Sequence, residues 1–429
     1  MNTHRRPIFR SIILLFATLH LAGIAAQAQS SKIIWSFTDK HGEGAVPFAP
    51  VVFDGDGAVY GTTAIGGIGT FGTVFKLTPP TGSGNWTEKI LYHFSGGSDG
   101  QQPSDIVFGP AGVIYSTTYL GGSDLCYQGC GTIFQLTPPT GGGSWTKQTL
   151  YDFTGFQDGQ APGNVQVGPN GALFGTTPSG GPPAGACHEV GCGTVWVLNE
   201  SGGVWAKTVI HAFPVTTGDG QGPNYDVVFD ANGNLYGTTY GGGSSHFGTV
   251  FKLSPPAVTG GAWTETILHS FTGSGADGGY PIGGLVIGRN GVVYGTASYS
   301  GVANDSGTAF ALTPPAKSGG TWKYKVIHKF AGGKDGATPA TTMVLDQKGN
   351  LYGTTWNGGS SACYLGCGTV FKLAPSTESG TWTETILRDW ANSGQVPDGS
   401  IVVFHEGLLY GTTEFFGASN DGTVFTMTP

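Results

Sequence analysis

Six cysteines fall into three close pairs, Cys126/Cys130, Cys187/Cys192 and Cys363/Cys367, each just ahead of a Gly-Thr that opens an apolar run. Thiols this close can bridge one another or hold zinc. Zinc requires four converging ligands, and only His188 stands beside any pair. Three local disulfides pinning long loops are therefore expected, as in an exported protein. Acids recur as Asp-Gly at Asp99, Asp158, Asp219, Asp277 and Asp335, usually with a proline three residues beyond the glycine. A ring of carboxylates would suit Ca²⁺ or a cationic ligand. Asp-Gly is also ordinary turn chemistry, and the turn reading comes first because the sequence holds no dense cluster of oxygen ligands. Aromatics form a third set: Tyr119, Tyr240 and Trp356 directly follow a Thr-Thr pair, with Tyr299 and Phe415 displaced by one position. On glycine-rich loops such rings pack between repeats or stack on sugars and other flat apolar faces. They are the best binding candidates in the chain.

Other chemistry is thinly represented. His211, His269 and His328 share one repeated slot that elsewhere holds Tyr92, Tyr151, Arg388 or Trp35, which marks a structural position. Glu414 is the one acid directly after a Thr-Thr-type pair and the first residue to test for catalysis. No G-x-S-x-G elbow, H-E-x-x-H pair or phosphate-binding glycine loop between strand and helix is present. No cofactor is expected, with Ca²⁺ at the Asp-Gly positions the single candidate.

The elements that must position these residues are short and repeated. Glycine, at 77 of 429 residues, is abundant, and charged residues make up only 11%. Four motifs alternate: an apolar strand such as Val227-Val228-Phe229, then L/V-Y-G-T-T, then G-T-V-F-x-L-T-P-P, then a run from a tryptophan to an aromatic such as Trp86–Phe94. Each is rich in β-branched and aromatic residues and bounded by Gly or Pro, the signature of a strand. The aromatic of the second motif recurs at Tyr60, Tyr115, Phe174, Tyr236, Tyr294, Tyr352 and Tyr410, about 58 residues apart. Tryptophans open the fourth motif six times only, at Trp86, Trp145, Trp205, Trp263, Trp322 and Trp382, and the seventh repeat lacks that strand. Ile33–Phe37 matches the end of the missing copy. A chain that begins with the strand its last repeat lacks predicts a closed ring: an all-β, seven-bladed β-propeller with four antiparallel strands per blade and the N-terminal strand completing the last blade. The parallel β-helix is the rival, but its coils are shorter and its ends are not complementary.

The whole cycle, L-Y-G-T-T…G-T-V-F-K-L…P-P…W-x-x-x-x-L-Y-x-F-x-G-x-D-G-x-x-P, resembles the GloVer tandem repeat of exported bacterial proteins with varied C-terminal anchoring, from Ile33 to Pro429. Pro223–Thr239 is also similar to an NHL-type propeller blade. The resemblance implies no established activity and no catalytic residues, and this chain shows no C-terminal sorting tail.

At the N-terminus Arg5, Arg6 and Arg10 precede an apolar run from Ile12 to Ala25, and Ala26-Gln27-Ala28 fits a signal-peptidase site. Residues 1–28 are read as a cleaved signal peptide of the general secretory type, leaving 29–429 as one propeller in the periplasm or outside the cell. Removing three arginines takes the formal charge from −8 to −11, which excludes nucleic acid as a partner. The sequence thus points to a monomeric binding or scaffold module for a glycan or an extracellular protein, with no membrane span in the mature chain. A propeller enzyme (glycan lyase, hydrolase or lactonase) with its site at the axis mouth is the alternative.

Overall fold

The computed structural model describes residues 31–429 apart from 41, 182–186, 188–190, 215, 217, 224, 259, 300–305, 318, 360–365, 377–379 and 391–402. The proposed signal segment lies outside the described residues. Among the described residues seven antiparallel blade sheets, five of four strands and two of five, follow one another along the chain, with two two-stranded ribbons beside them. Blade four shows the plan: a short inner strand Val228–Phe229, then Leu235–Thr239, Thr249–Ser254 and the outer Thr264–Ser270, paired in that order. In the last blade the fourth strand is Ser31–Ser36, which pairs with Thr423–Met427. Strand and chain ends meet as the repeat count predicts, and the ring is closed.

The L-Y-G-T-T motif can be explained residue by residue. Its glycine lies under the aromatic ring of the third strand. A Cβ on Gly61 would stand 2.6 Å from Phe75, and one on Gly237 2.5 Å from Phe251. The first threonine reaches the next blade: Thr62 Oγ1 donates to the Ser104 carbonyl at 3.0 Å, and Thr117 Oγ1 to that of Gly163 at 2.7 Å. Thr412 does the same across the closure, to the Ala49 carbonyl at 3.2 Å. The second threonine pairs with the Thr of G-T-V-F in its own blade, as in Thr63 with Thr73 and Thr239 with Thr249, both at 2.8 Å. Buried hydroxyls that satisfy one another in this way avoid the cost of an unpaired polar group. Tyrosine locks the Asp-x-x-Gly turn before it: Tyr60, Tyr236 and Tyr352 donate to Asp54, Asp230 and Asp346 at 3.0 Å.

The apolar core consists of seams between neighbouring blades. Leu253 and Phe251 of blade four pack with Val195, Val197 and Phe213 of blade three, and equivalent groups fill the other junctions. Close packing of this kind tolerates little added volume. Among the glycines of this motif Gly175 makes a tighter contact than Gly61, Gly237, Gly295 or Gly353, its Cβ position lying 2.4 Å from the buried Trp196 ring. Gly175→Ala is expected to destabilise the protein by about 1–3 kcal/mol through overpacking, read as a lowered midpoint in urea unfolding. A midpoint unchanged from wild type contradicts this account of the motif.

Candidate functional site

Strand order sets which residues reach the axis. The segments just before the inner strands converge from several blades, and the loops after Thr-Thr open on the same face. Together they line a cavity of about 410 Å³. Tyr119, Tyr240 and Trp356, from blades two, four and six, contribute their rings, and Ser104, Asn164 and Tyr225 contribute polar groups. Tyr119 and Tyr240 are 44% and 45% exposed. The Trp356 indole N–H is buried and has no hydrogen-bond partner among the described residues.

The other two aromatic candidates are placed differently. Tyr299 stacks on Phe247 with ring centroids 5.8 Å apart and meets Tyr280 edge-on at 5.7 Å, so it packs within a cluster that also holds Tyr240 against Tyr280. Phe415 is partly exposed and, like Glu414, is not among the residues lining the cavity.

Three polar residues at the axis escaped the sequence reading: Asp105, Asn164 and Asp226. Each occupies the slot directly ahead of the apolar residue that opens the inner strand, a slot held by Pro50, Gly284 and Thr342 in other blades. Asn164 lines the cavity and donates through Nδ2 to Asp105 Oδ2 at 2.6 Å. Burial, with the Asp226 charge beside it, pushes the Asp105 carboxyl well above the ordinary carboxylate range. Burial lifts Asp226 to about 6, against the opposing pull of its Asn164 hydrogen bond, and its Oδ1 has no partner among the described residues. Two acids and an amide on three successive blades break the ring's symmetry at one side of the axis. Aligning the repeats on this slot would have exposed them, because turn chemistry does not call for Asp there.

The Asp-Gly carboxylates are not at the mouth; none of the five lines the axial cavity. They sit at the outer edges of the blades, and four of them close their own turn by accepting a backbone N–H: Ser95 to Asp99, Thr154 to Asp158 and Thr272 to Asp277 at 2.9 Å, and Ala331 to Asp335 at 2.6 Å. Asp219 instead accepts from the Gly220 N–H at 2.6 Å. Each also faces two outer-strand residues, one from its own blade and one from the next. At the first two junctions these are tyrosine and lysine: Tyr92 and Lys147 bond Asp99 at 2.8 and 3.0 Å, and Tyr151 and Lys207 bond Asp158. At two others they are histidine and glutamate. His211, Asp219 and Glu265 form one group and His328, Asp335 and Glu384 another, each with its donor atoms within 4.8 Å of one another. Burial, reinforced by the neighbouring aspartate, raises Glu265 to about 8 and Glu384 to about 9.

Disulfides join Cys126 to Cys130 and Cys187 to Cys192, and Cys367 is also disulfide-bonded. Cys363 and His188 lie outside the described residues. No helix among the described residues is long and apolar enough to cross a membrane.

The model of the Gloeobacter/Verrucomicrobia repeat matches residues 46–310 and again 258–429. Among solved structures, the chain is similar to PorZ, a surface component of the type-IX secretion system of Porphyromonas gingivalis, at 14% identity and a TM-score of 0.51, covering 89% of this chain and 46% of that one. It is similar to the polysaccharide lyase Uly1 at 12% identity and a TM-score of 0.47, covering 92% of both chains. A puromycin-hydrolysing peptidase of Mycobacterium tuberculosis matches at 11% identity and a TM-score of 0.49, covering 88% of this chain and 52% of that one. The chain thus spans about half the length of the PorZ and peptidase chains. At these identities the likeness is one of fold. No curated protein sequence matches the chain.

Proposed function

The chain belongs to the Gloeobacter/Verrucomicrobia repeat family, and from that premise we propose that it is an exported binding module that takes a saccharide into the axial mouth. One observation carries the reading: five aromatic residues from four blades, Phe48, Tyr119, Tyr225, Tyr240 and Trp356, line a single cavity of about 410 Å³ beside an amide. Pockets for small ligands run to about 300–1,000 Å³ and combine apolar walls with a few placed polar groups. A pyranose offers C–H faces to Tyr119, Tyr240 and Trp356 and hydroxyls to Asn164. The Trp356 N–H, without a partner among the described residues, supplies a donor, and Asp226 stands behind Asn164. The disulfides support export, since such bonds persist in oxidising compartments.

The test is a glycan array followed by calorimetry with the selected oligosaccharide. Trp356→Ala and Tyr240→Ala are each expected to weaken binding about tenfold, equivalent to about 1.4 kcal/mol. Phe415→Ala, remote from the cavity, is expected to leave it unchanged. Capture undiminished by both aromatic substitutions overturns the proposal.

A second reading is favoured by the raised acids. A carboxyl near pKa 6 beside a cavity is suited to general acid–base work on a glycosidic bond. Reducing-end release from the captured glycan, abolished in Asp226→Asn, would make the module an enzyme. Capture without release leaves it a binder.

A further inference from the structure

Two blade junctions bond a lysine ammonium to the aspartate of the Asp-Gly turn, and two others set a histidine and a glutamate around that aspartate. At the junctions of blades one with two and two with three, the ammonium groups of Lys147 and Lys207 lie between strands, with side chains only 5% and 1% exposed, and bond the carboxylate and carbonyl oxygens of Asp99 and Asp158. The same outer-strand slot, two residues beyond the tryptophan, holds Glu88 in blade one, Glu265 in blade four and Glu384 in blade six, and the last two face a histidine. The tyrosine that accompanies each lysine becomes His211 or His328. Charge at the slot is therefore inverted while the aspartate is kept.

The result is two groups, each of one imidazole and two carboxylates, assembled from two blades. His211 Nε2 and Glu265 Oε1, like His328 Nε2 and Glu384 Oε1, are shut off from solvent and make no well-aligned hydrogen bond among the described residues. Uncompensated carboxylates in such surroundings are costly. Spacing fits a metal: His211 Nε2 stands 3.5 Å from Glu265 Oε2, and His328 Nε2 stands 3.5 Å from Asp335 Oδ2 and 3.4 Å from Glu384 Oε1. Donors about 2.1 Å from a tetrahedral zinc are separated by about 3.4 Å. The junction of blades four and five provides an internal contrast. There Tyr324 takes the glutamate slot and stacks on His269 at 3.8 Å, and His269 hydrogen-bonds Asp277 at 3.1 Å, so the same histidine is satisfied without an ion.

We infer that His211/Asp219/Glu265 and His328/Asp335/Glu384 are two structural sites for a divalent first-row metal, with zinc the test ion, clamping blade three to four and blade five to six. The ion takes the place that the lysine ammonium fills elsewhere, and water completes its coordination. An imidazole ligand disfavours Ca²⁺, which prefers oxygen.

The experiment uses the full mature chain, free of any affinity tag, stripped with EDTA, re-equilibrated with zinc and desalted before metal analysis. Two equivalents are expected, with a melting temperature several degrees above the stripped protein. His211→Tyr with Glu265→Lys recreates the lysine junction and is expected to leave one equivalent. Adding His328→Tyr and Glu384→Lys is expected to leave none, with a melting temperature indifferent to zinc. Because these changes copy a junction the fold already contains, melting in EDTA is expected to match or exceed wild type, which separates loss of metal from loss of folding. A wild-type chain that retains no zinc, or a quadruple variant that retains as much as wild type, overturns the inference.

Discussion

Removal of Ser31–Phe37 from a chain that starts at Gln29 is expected to lower its melting temperature by about 6 °C, on the order of 5 kcal/mol of stability, or to prevent folding at 37 °C. The segment supplies the whole outer strand of blade seven, paired from Ser31–Met427 to Ser36–Thr423. It also fills the last seam: Ile34 and Phe37 pack with Val51, Val59, Phe75 and Val424. Phe37 has no exposed surface and meets Phe75 edge-on at 5.1 Å. Each such side chain contributes about 1.5–3 kcal/mol on burial, and its loss bares the edge of Thr423–Met427 to intermolecular pairing. Phe37→Ala alone is expected to cost about 3–5 kcal/mol. Thermal melting and protease resistance read both effects. A truncated chain that melts with wild type contradicts a ring closed by its ends.

The second large effect has the opposite sign. Asp226→Asn is expected to stabilise the folded chain by about 2–3 kcal/mol at pH 8 and to change little at pH 4. Burial lifts the Asp226 carboxyl from 3.8 to about 6. Below pH 4 the group is protonated in both folded and unfolded chains and costs nothing. Between pH 4 and 6 the unfolded chain releases its proton while the folded chain keeps it, so stability falls as pH rises, and above 6 the penalty is complete. Asparagine removes the charge and with it the decline. A carboxyl buried at such a cost against Asn164, which lines the cavity, fits a site where stability is traded for function. Unfolding midpoints of the two proteins from pH 4 to 8 decide the matter, and parallel curves contradict it.

The fold was legible because every blade restates it. Gly61 and Gly237 leave room for the rings of Phe75 and Phe251, and Thr62 and Thr117 each tie one blade to the next. A rule applied in blade after blade survives local noise, and even the missing strand could be placed from the mismatch between first and last repeats. Sites follow the reverse logic. Asp105, Asn164 and Asp226 matter because their slot holds proline, glycine or threonine elsewhere, so a search for recurrence passes over them. Rings were easier to find than to sort: the same offset from Thr-Thr puts Tyr240 and Trp356 at the mouth, while one further residue turns Tyr299 into the packing against Phe247. The Asp-Gly acids Asp99 and Asp158 accept backbone N–H groups of their own turns, from Ser95 and Thr154. Their carboxylates also turn toward the outer strands, where Tyr92 and Tyr151 donate to them. The histidine slot looked purely structural while its members were compared only with one another. Its partner lies about 50 residues onward in the next blade, where glutamate faces His211 and His328 and lysine faces Tyr92 and Tyr151. Such pairing across a junction is visible only when blade order is known.

The most direct measurement of the central claim is a crystal structure of the mature chain soaked with the oligosaccharide that the array selects. Sugar density stacked between the Trp356 and Tyr240 rings, with a hydroxyl within hydrogen-bond reach of Asn164, is the result expected. An empty axial mouth, with sugar bound instead on the outer loops near Phe415 or along the blade edges, contradicts it.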